Sequence, residues 1–291
     1  MATTPARPVI RYYGGKFRIA AWIVSFFPAH RTYIEPFAGA ASVLMAKQRS
    51  QAEVYNDLDG ELVSLFRVLR DPGQAGELQR RLELTPYARG EWRSAYEFTS
   101  DPIEMARRSI VRAFMGFGSS AFLQKSDGRR KTGFRRQKHS QHSAPSKDWA
   151  NYSAMVPIFC DRLRGVLIEN EPANAVIEAH DSAATLMYVD PPYPRRVRGC
   201  RFEHPYRYEF SDDDHRSLAR LLHSVAGMVV ISGYPCALYD TELYEGWERY
   251  EHRAFADGGR ERTEVLWLSP AASAARRRAH PELWDASDPA T

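Results

Sequence analysis

The sequence contains little cysteine and no long apolar run. Its 291 residues include three cysteines, Cys160, Cys200 and Cys236, without CxxC spacing, so neither a disulfide framework nor a zinc site is expected. No uncharged apolar stretch reaches the roughly 18 residues that cross a bilayer, and the N-terminal MATTPARPVI lacks an apolar signal core. These absences argue against secretion and against a membrane span, and favour a reducing compartment.

Positive charge is concentrated in two parts of the chain. Lys and Arg number 40 against 36 Asp and Glu, a net charge of +4. Two stretches are basic and carry interleaved aromatic residues, which is typical of a surface that binds a polyanion; a solvated face is the alternative. The first stretch contains Lys125, Arg129, Arg130, Lys131, Arg135, Arg136, Lys138 and Lys147, and the second contains Arg195, Arg196, Arg198, Arg201 and Arg207.

Alternating strand and helix patterns predict an α/β fold in two separated segments. Short apolar strands are predicted at 32–34, 53–55, 167–169, 186–190, 228–232 and 263–268, with helices between them, as in an open parallel sheet. Residues 71–164 interrupt this alternation with helical patterns and then a glycine-rich, basic stretch. We therefore predict one domain at 1–70 and 165–270, an inserted module at 71–164 and a C-terminal tail at 271–291.

Candidate catalytic residues follow the strand predicted at 186–190. They form the tetrapeptide Asp190-Pro191-Pro192-Tyr193, and open parallel sheets place their chemistry beyond the carboxyl ends of strands. Asp190 offers a carboxylate, the prolines stiffen the backbone and leave carbonyl groups unpaired, and Tyr193 offers a flat aromatic face. This combination suits a planar ring that carries an amino group. A strand-ending turn with a surface tyrosine is the alternative.

A loop of small residues at 35–42 is a candidate binding site for a small molecule. Gly39 lies between a predicted strand and a helix, where a ligand can approach the backbone. The loop is not a GxGxxG, which argues against a dinucleotide. Asp57 follows Gly39 by 18 residues, a spacing that suits an acid accepting both hydroxyls of a ribose. A plain tight turn with a helix-capping Asp57 is the alternative.

Taken together, four motifs resemble those of the Dam-type DNA adenine methyltransferases. In chain order they are Tyr12-Tyr13-Gly14-Gly15-Lys16, Glu35-Pro36-Phe37-Ala38-Gly39-Ala40, Asn56-Asp57 and Asp190-Pro191-Pro192-Tyr193. Residues 232–234 and 263–267 are similar to phage-borne members. The resemblance implies a Rossmann-like methyltransferase sheet, S-adenosylmethionine as methyl donor, and the exocyclic amino group of a flipped adenine in duplex DNA as acceptor. Residues 71–164 then correspond to a mostly helical target-recognition module.

The resemblance assigns roles to individual residues. It implies cofactor contacts by Tyr12, Lys16, Glu35, Phe37, Gly39, Asp57 and Asp190, and catalytic roles for Asp190, Pro191, Pro192 and Tyr193. DNA contacts are expected from Lys125, Arg129, Arg130, Lys131, Arg135, Arg136, Arg195, Arg196 and Arg198. Ala41 stands where the family usually has a second glycine, and its methyl group is expected to narrow the cofactor pocket.

The expected setting is that of a cytoplasmic bacterial or phage-encoded enzyme acting on double-stranded DNA. A monomer or weak dimer without metal is expected, and a cognate restriction nuclease is left open. Two rival functions also stay open. One is a methyltransferase that acts on RNA or on a protein amide, and the other is a DNA-binding relative with weakened catalysis.

Overall fold

Seven strands form one sheet that positions the candidate site. They are β1 (Thr32–Glu35), β2 (Ala52–Asn56), β3 (Val166–Glu169), β4 (Thr185–Val189), β5 (Met228–Gly233), β6 (Glu248–Phe255) and β7 (Glu261–Leu268). Their order across the sheet is β3-β2-β1-β4-β5-β7-β6. The computed structural model describes residues 5–118, 121–122, 133–136, 144–198, 207–255 and 261–279.

The direction of the strands sets where a ligand can bind. Strands β1 to β5 are parallel, and β7 is antiparallel to both β5 and β6. Every residue of β4 is buried, as expected for a central strand covered on both faces. The strand order reverses between β1 and β4. Open α/β sheets bind ligands beyond the carboxyl ends of their strands at such a reversal.

Helices cover the sheet and extend over the inserted region. They are α1 (Ala20–Val24), α2 (Ser42–Ala46), α3 (Gly60–Arg70), α4 (Pro72–Glu83), α5 (Arg89–Ser94), α6 (Pro102–Met115), α7 (Pro145–Ala150), α8 (Val156–Leu163), α9 (Ala173–Ala179), α10 (Arg195–Arg198), α11 (Asp212–Ser224) and α12 (Pro270–Ala279). A 3-10 turn at Ser153–Met155 precedes α8, and a π-helical segment at Leu238–Leu243 follows β5. No helix in the described ranges is long and apolar enough to cross a bilayer.

Alternate strand residues enter two different hydrophobic cores. Tyr188 of β4 belongs to one core and the next residue, Val189, to the other, because successive side chains point to opposite faces of a sheet. The core that contains Tyr188 also contains Ile110 of α6 and Phe159 of α8. The helices of the inserted region therefore share a core with the sheet.

The predicted α/β fold is confirmed, and the target-recognition role of 71–164 stays a prediction. All six predicted strands are found, each within two residues of the expected bounds. Strand β6 is not predicted from the sequence, because charged residues such as Glu248, Glu251 and Arg253 hide its apolar side. Residues 271–279, which the sequence assigns to a tail, belong to α12, where Ala272 is fully buried.

Ala41 has a backbone conformation that usually requires glycine. Its φ of 52° and ψ of 31° are left-handed, at the N-cap of α2, and no other non-glycine residue in the described ranges has a positive φ. The side chain is fully buried, yet Ala41 is not among the residues that line the cavity described below. The methyl group therefore lies in the core, contrary to the expectation that it narrows the cofactor pocket.

Ala41→Gly is expected to change the free energy of unfolding by less than about 1 kcal/mol. Substitution by glycine relieves left-handed backbone strain of about 1–2 kcal/mol. This gain is offset by the loss of the buried methyl group, about 0.8 kcal/mol, and by the greater conformational entropy of glycine in the unfolded chain, about 0.5–1 kcal/mol. Ala41→Val, the contrasting variant, is expected to lose more than about 2 kcal/mol because a branched Cβ clashes at this φ. Urea denaturation measures the free energy of unfolding of both variants. A tenfold change in the cofactor affinity of Ala41→Gly would contradict the placement of the Ala41 methyl group in the core.

Candidate active site

A cavity opens at the carboxyl ends of β1, β2 and β4. Its wall is built by the loops that follow these strands, at the point where the strand order reverses. The N-terminal glycine turn at 12–16 and residues 207–210 complete the wall. All seven predicted cofactor contacts line this cavity, namely Tyr12, Lys16, Glu35, Phe37, Gly39, Asp57 and Asp190.

Strand β2 holds the small-residue loop that follows β1. The amide of Ala38 donates to the Asn56 carbonyl at 2.8 Å, and the amide of Gly39 donates to Asp57 Oδ2 at 2.9 Å. Gly39 has a φ of +50°, and a Cβ there would lie 3.2 Å from the ring of Tyr12. Both the backbone conformation and the close approach of this ring therefore favour glycine at this position.

Two carboxyl groups with raised pKa values form part of the cavity wall. Burial raises the pKa of Glu35 to about 8, although the Tyr33 hydroxyl donates to its Oε1 at 2.6 Å. Burial also raises the pKa of Asp57 to about 6, although the amides of Asp59 and Gly39 donate to its oxygens. A cationic ligand would favour the ionised form of both groups. Among the described residues, no group of three His, Cys, Asp or Glu side chains is placed to hold a metal ion.

Asp190 is held at the cavity by two donors. Lys16 Nζ lies 2.8 Å from Asp190 Oδ2, and the Ser232 hydroxyl donates to Oδ1 at 2.7 Å. The Tyr188 hydroxyl in turn donates to Ser232 Oγ at 3.0 Å. Burial alone would lower the pKa of Lys16, but the charges of Asp190 and Glu264 raise it above its usual value. Lys16 therefore stays cationic where it pairs with Asp190.

Tyr193 is buried beside the cavity and does not line it. The residue is 4% exposed, and its hydroxyl donates to Glu264 Oε2 at 2.9 Å. Lys16 Nζ lies 4.7 Å from the centroid of its ring, and the ring of Tyr234 meets it edge-on at 4.7 Å. Of the two prolines before it, Pro192 lines the cavity and the preceding one is buried. A base that stacks on Tyr193 therefore requires a neighbouring side chain to move.

The first basic stretch is described only in part. Lys125, Arg129, Arg130, Lys131 and Lys138 lie outside the described residues. The amide of Phe117 donates to the Gly133 carbonyl at 2.9 Å, and the amide of Arg135 donates to the Met115 carbonyl at 2.7 Å, so residues 133–135 pair in antiparallel fashion with residues 115–117, which follow α6 or end it. The Arg135 side chain lies 3.7 Å from Asp148, whereas Arg136 and Phe117 are exposed.

The arginines of α10 differ in their exposure. The side chains of Arg195 and Arg196 are 56% and 52% exposed. Arg198 is buried, and its Nη1 and Nη2 donate to the two Glu209 oxygens at 3.2 and 2.6 Å. The predicted phosphate contact therefore fits the first two residues in this conformation, but not Arg198.

Sequence reasoning assigns no site role to three further residues of the site. Ser232 is the penultimate residue of β5, so the rule that selects strand ends could have found it. Arg207, grouped in the sequence with the basic stretch, instead pairs with Asp59 and Glu61 and lines the cavity. Glu264 reaches Tyr193 from an antiparallel strand, and no local pattern indicates this contact.

The fold is consistent with that of an S-adenosylmethionine-dependent methyltransferase. The features are a mostly parallel seven-stranded sheet with β7 reversed, a cavity at the strand-order reversal, and the acid-Pro-Pro-Tyr motif beside it. The family model of the D12 class N6 adenine-specific DNA methyltransferase matches residues 12–253. The chain belongs to this family of adenine-specific DNA methyltransferases.

Two relatives align with most of the chain. The DNA adenine methylase of Serratia marcescens is 25% identical, over 85% of this chain and 88% of the relative. The Type II methyltransferase M.MjaIII of Methanocaldococcus jannaschii is 22% identical, over 83% of this chain and 89% of the relative. The family predicted from the four sequence motifs is therefore confirmed.

Proposed function

We propose that this protein transfers a methyl group from S-adenosylmethionine to the exocyclic amino group of a flipped adenine within a specific sequence of duplex DNA. The observation that carries the proposal is the Asp190 carboxylate, which lines the cavity and is oriented by Lys16 and Ser232. Family membership supplies the chemistry that the site is expected to perform.

The cavity wall fits the proposed cofactor. Glu35 is a buried carboxyl group with a raised pKa, so a cationic ligand beside it is favourable. Asp57, with Gly39 donating to it, stands at the end of β2 where an acid accepts ribose hydroxyls. Tyr12 and Phe37 offer aromatic surface. When bound, S-adenosylmethionine supplies an electrophilic methyl group.

Asp190 and the adjacent proline carbonyl group are proposed to activate the adenine amino nitrogen. The lone pair of this nitrogen is delocalised into the ring, which makes it a poor nucleophile. Two acceptors, the Asp190 carboxylate and a carbonyl of the Pro191–Pro192 segment, each accept one N–H and favour a pyramidal nitrogen. The positive charge that develops on nitrogen is stabilised by the ionised Asp190. Holding both reactants in place supplies further acceleration.

Flipping of the target base follows from the depth of the site. The amino group cannot reach Asp190 from inside a duplex, so the base must leave the stack. Tyr193 is the proposed stacking partner, worth about 1–3 kcal/mol, once its buried ring is uncovered. Residues 71–164 are proposed to read the DNA sequence, with the exposed Phe117 and Arg136 on the DNA side.

The proposal is tested by following labelled methyl groups into different acceptors. Purified protein is incubated with S-adenosylmethionine and mixed-sequence duplex DNA, a G·C-only duplex, structured RNA or protein. Label is expected as N6-methyladenine in the mixed duplex and not in the G·C duplex. Label in RNA or protein without label in DNA would favour the first rival, and cofactor binding without transfer would favour the second.

Arg195→Gln and Arg196→Gln are each expected to reduce the salt dependence of DNA binding. Each variant should lower the slope of log affinity against log salt by about 1. Arg198→Gln is the matched control from the same helix and should leave the slope unchanged, because its guanidinium group is buried against Glu209, whereas the side chains of Arg195 and Arg196 are more than half exposed. Equal slopes in all three variants would contradict a phosphate contact by α10.

A further inference from the structure

Glu264 lies in the candidate active site although its strand runs against its neighbours. Strand β7 pairs with β5 through Val265 and Gly233. Its antiparallel direction carries the preceding residue, Glu264, to the same edge of the sheet as Asp190. Glu264 is 8% exposed, and its Oε2 accepts the Tyr193 hydroxyl at 2.9 Å. A carboxylate in such a position is costly unless it is hydrogen-bonded and faces a cation.

The groups around Glu264 form one connected cluster. Lys16 Nζ pairs with Asp190 at 2.8 Å and lies 4.7 Å from the centroid of the Tyr193 ring. The hydroxyl of that ring is bound by Glu264, and Tyr234 meets the ring at its edge. Burial raises the pKa of Glu264, and the charge of Lys16 opposes this effect. Glu264 and Asp190 are thus joined through one phenol and one ammonium group.

We propose that Glu264 is a positioning residue for methyl transfer, which fixes the Tyr193 ring against which the target base is proposed to stack. The inference rests on the proposed function. Glu264 acts through the Tyr193 hydroxyl and does not line the cofactor cavity. Its loss should therefore affect turnover and the target base while sparing the cofactor.

Kinetics of three variants and their combination test this role. Glu264→Ala is expected to lower kcat about tenfold, with the KM for S-adenosylmethionine within about twofold of wild type. Glu264→Gln should recover most of the loss, because an amide oxygen accepts the same hydrogen bond. Tyr193→Phe removes the hydroxyl and should lower kcat as much as Glu264→Ala does. The double variant that combines Tyr193→Phe with Glu264→Ala should lower kcat no further.

Base extrusion gives a second readout that a structural role would not change. With 2-aminopurine at the target position, fluorescence in the Glu264→Ala complex should exceed that of wild type, because a looser Tyr193 ring quenches the base less. Glu264→Gln should restore the wild-type signal. Glu261→Gln is the matched control, since its side chain is 57% exposed on the same strand, and it should change neither kcat nor fluorescence.

Several outcomes would overturn the inference. They are a normal kcat in Glu264→Ala, a Glu264→Gln variant as slow as the alanine variant, or losses that multiply in the double variant. If Glu264→Ala does not fold, Tyr193→Phe tests the same contact, and a near-normal kcat in that variant also overturns it. A wild-type protein that methylates no DNA would instead refute the proposed function.

Discussion

Asp190→Asn is expected to lower the rate of methyl transfer by at least about 10²–10³-fold while leaving cofactor affinity largely intact. The asparagine has the same shape, and its oxygen can still accept from Ser232, which now donates to Asp190 Oδ1 at 2.7 Å. It lacks the negative charge that stabilises the developing ammonium, and with its oxygen toward Ser232 its NH₂ group takes the place of Oδ2, which now lies 2.8 Å from Lys16 Nζ. The loss should therefore appear in the chemical step.

Asparagine is a better test than alanine because it keeps the shape of the side chain. Lys16 is buried, pairs with Asp190 and also donates to the Gly14 carbonyl at 2.7 Å. Either substitution leaves this buried cation without its anionic partner, at a cost of about 3–5 kcal/mol, so stability has to be measured beside activity. Single-turnover transfer, cofactor titration and thermal unfolding should be measured on the same preparation. Turnover near that of wild type in a folded Asp190→Asn variant would defeat the assigned role.

The cavity is predictable because each of its main residues follows a recognisable strand. Asp57 and Asp190 are 133 positions apart, yet each stands directly after a strand. Parallel strands bring such ends to one edge of the sheet, so their meeting requires no knowledge of side-chain packing. Gly39 is predictable for a similar reason, because a turn after β1 needs a residue that tolerates positive φ.

Contacts that depend on register or on packing are not predictable from the sequence. The bond from Tyr193 to Glu264 joins residues 71 positions apart and exists because β7 is antiparallel to β5. The burial of Arg198 depends on its pairing with Glu209, 11 positions along the chain, which a count of charges cannot reveal. Ala41 adopts a left-handed conformation that its sequence neighbourhood does not indicate. In each case the local structure is decided by a contact between residues distant in sequence or by a backbone conformation that the neighbouring residues do not indicate.

The free energy of unfolding of the cofactor-free protein is expected to fall by about 2 kcal/mol between about pH 6.5 and 8. Burial raises the pKa of Glu35 to about 8 in the folded protein, against about 4.5 in the unfolded chain. The folded state therefore binds more protons than the unfolded state in this window, and stability is lost as the pH rises. Below about pH 6.5 a second group acts in the opposite direction. Burial lowers the pKa of His215 to about 4, so the free energy of unfolding rises with pH between about 4 and 6.5 through this residue. The window in which Glu35 dominates therefore starts near pH 6.5.

Cofactor binding should reverse the loss of stability between about pH 6.5 and 8, and the Glu35→Gln substitution should abolish this loss. A cationic ligand beside Glu35 favours the carboxylate, so binding should release a proton and strengthen by up to about tenfold per pH unit below 8. Glutamine keeps an oxygen for the Tyr33 hydroxyl but does not titrate, so the variant should be more stable at pH 8 and bind the cofactor weakly at every pH. Urea denaturation across pH and calorimetry in two buffers measure both effects. If the free energy of unfolding of Glu35→Gln fell with pH as steeply as that of the wild type, the titrating group would be one other than Glu35.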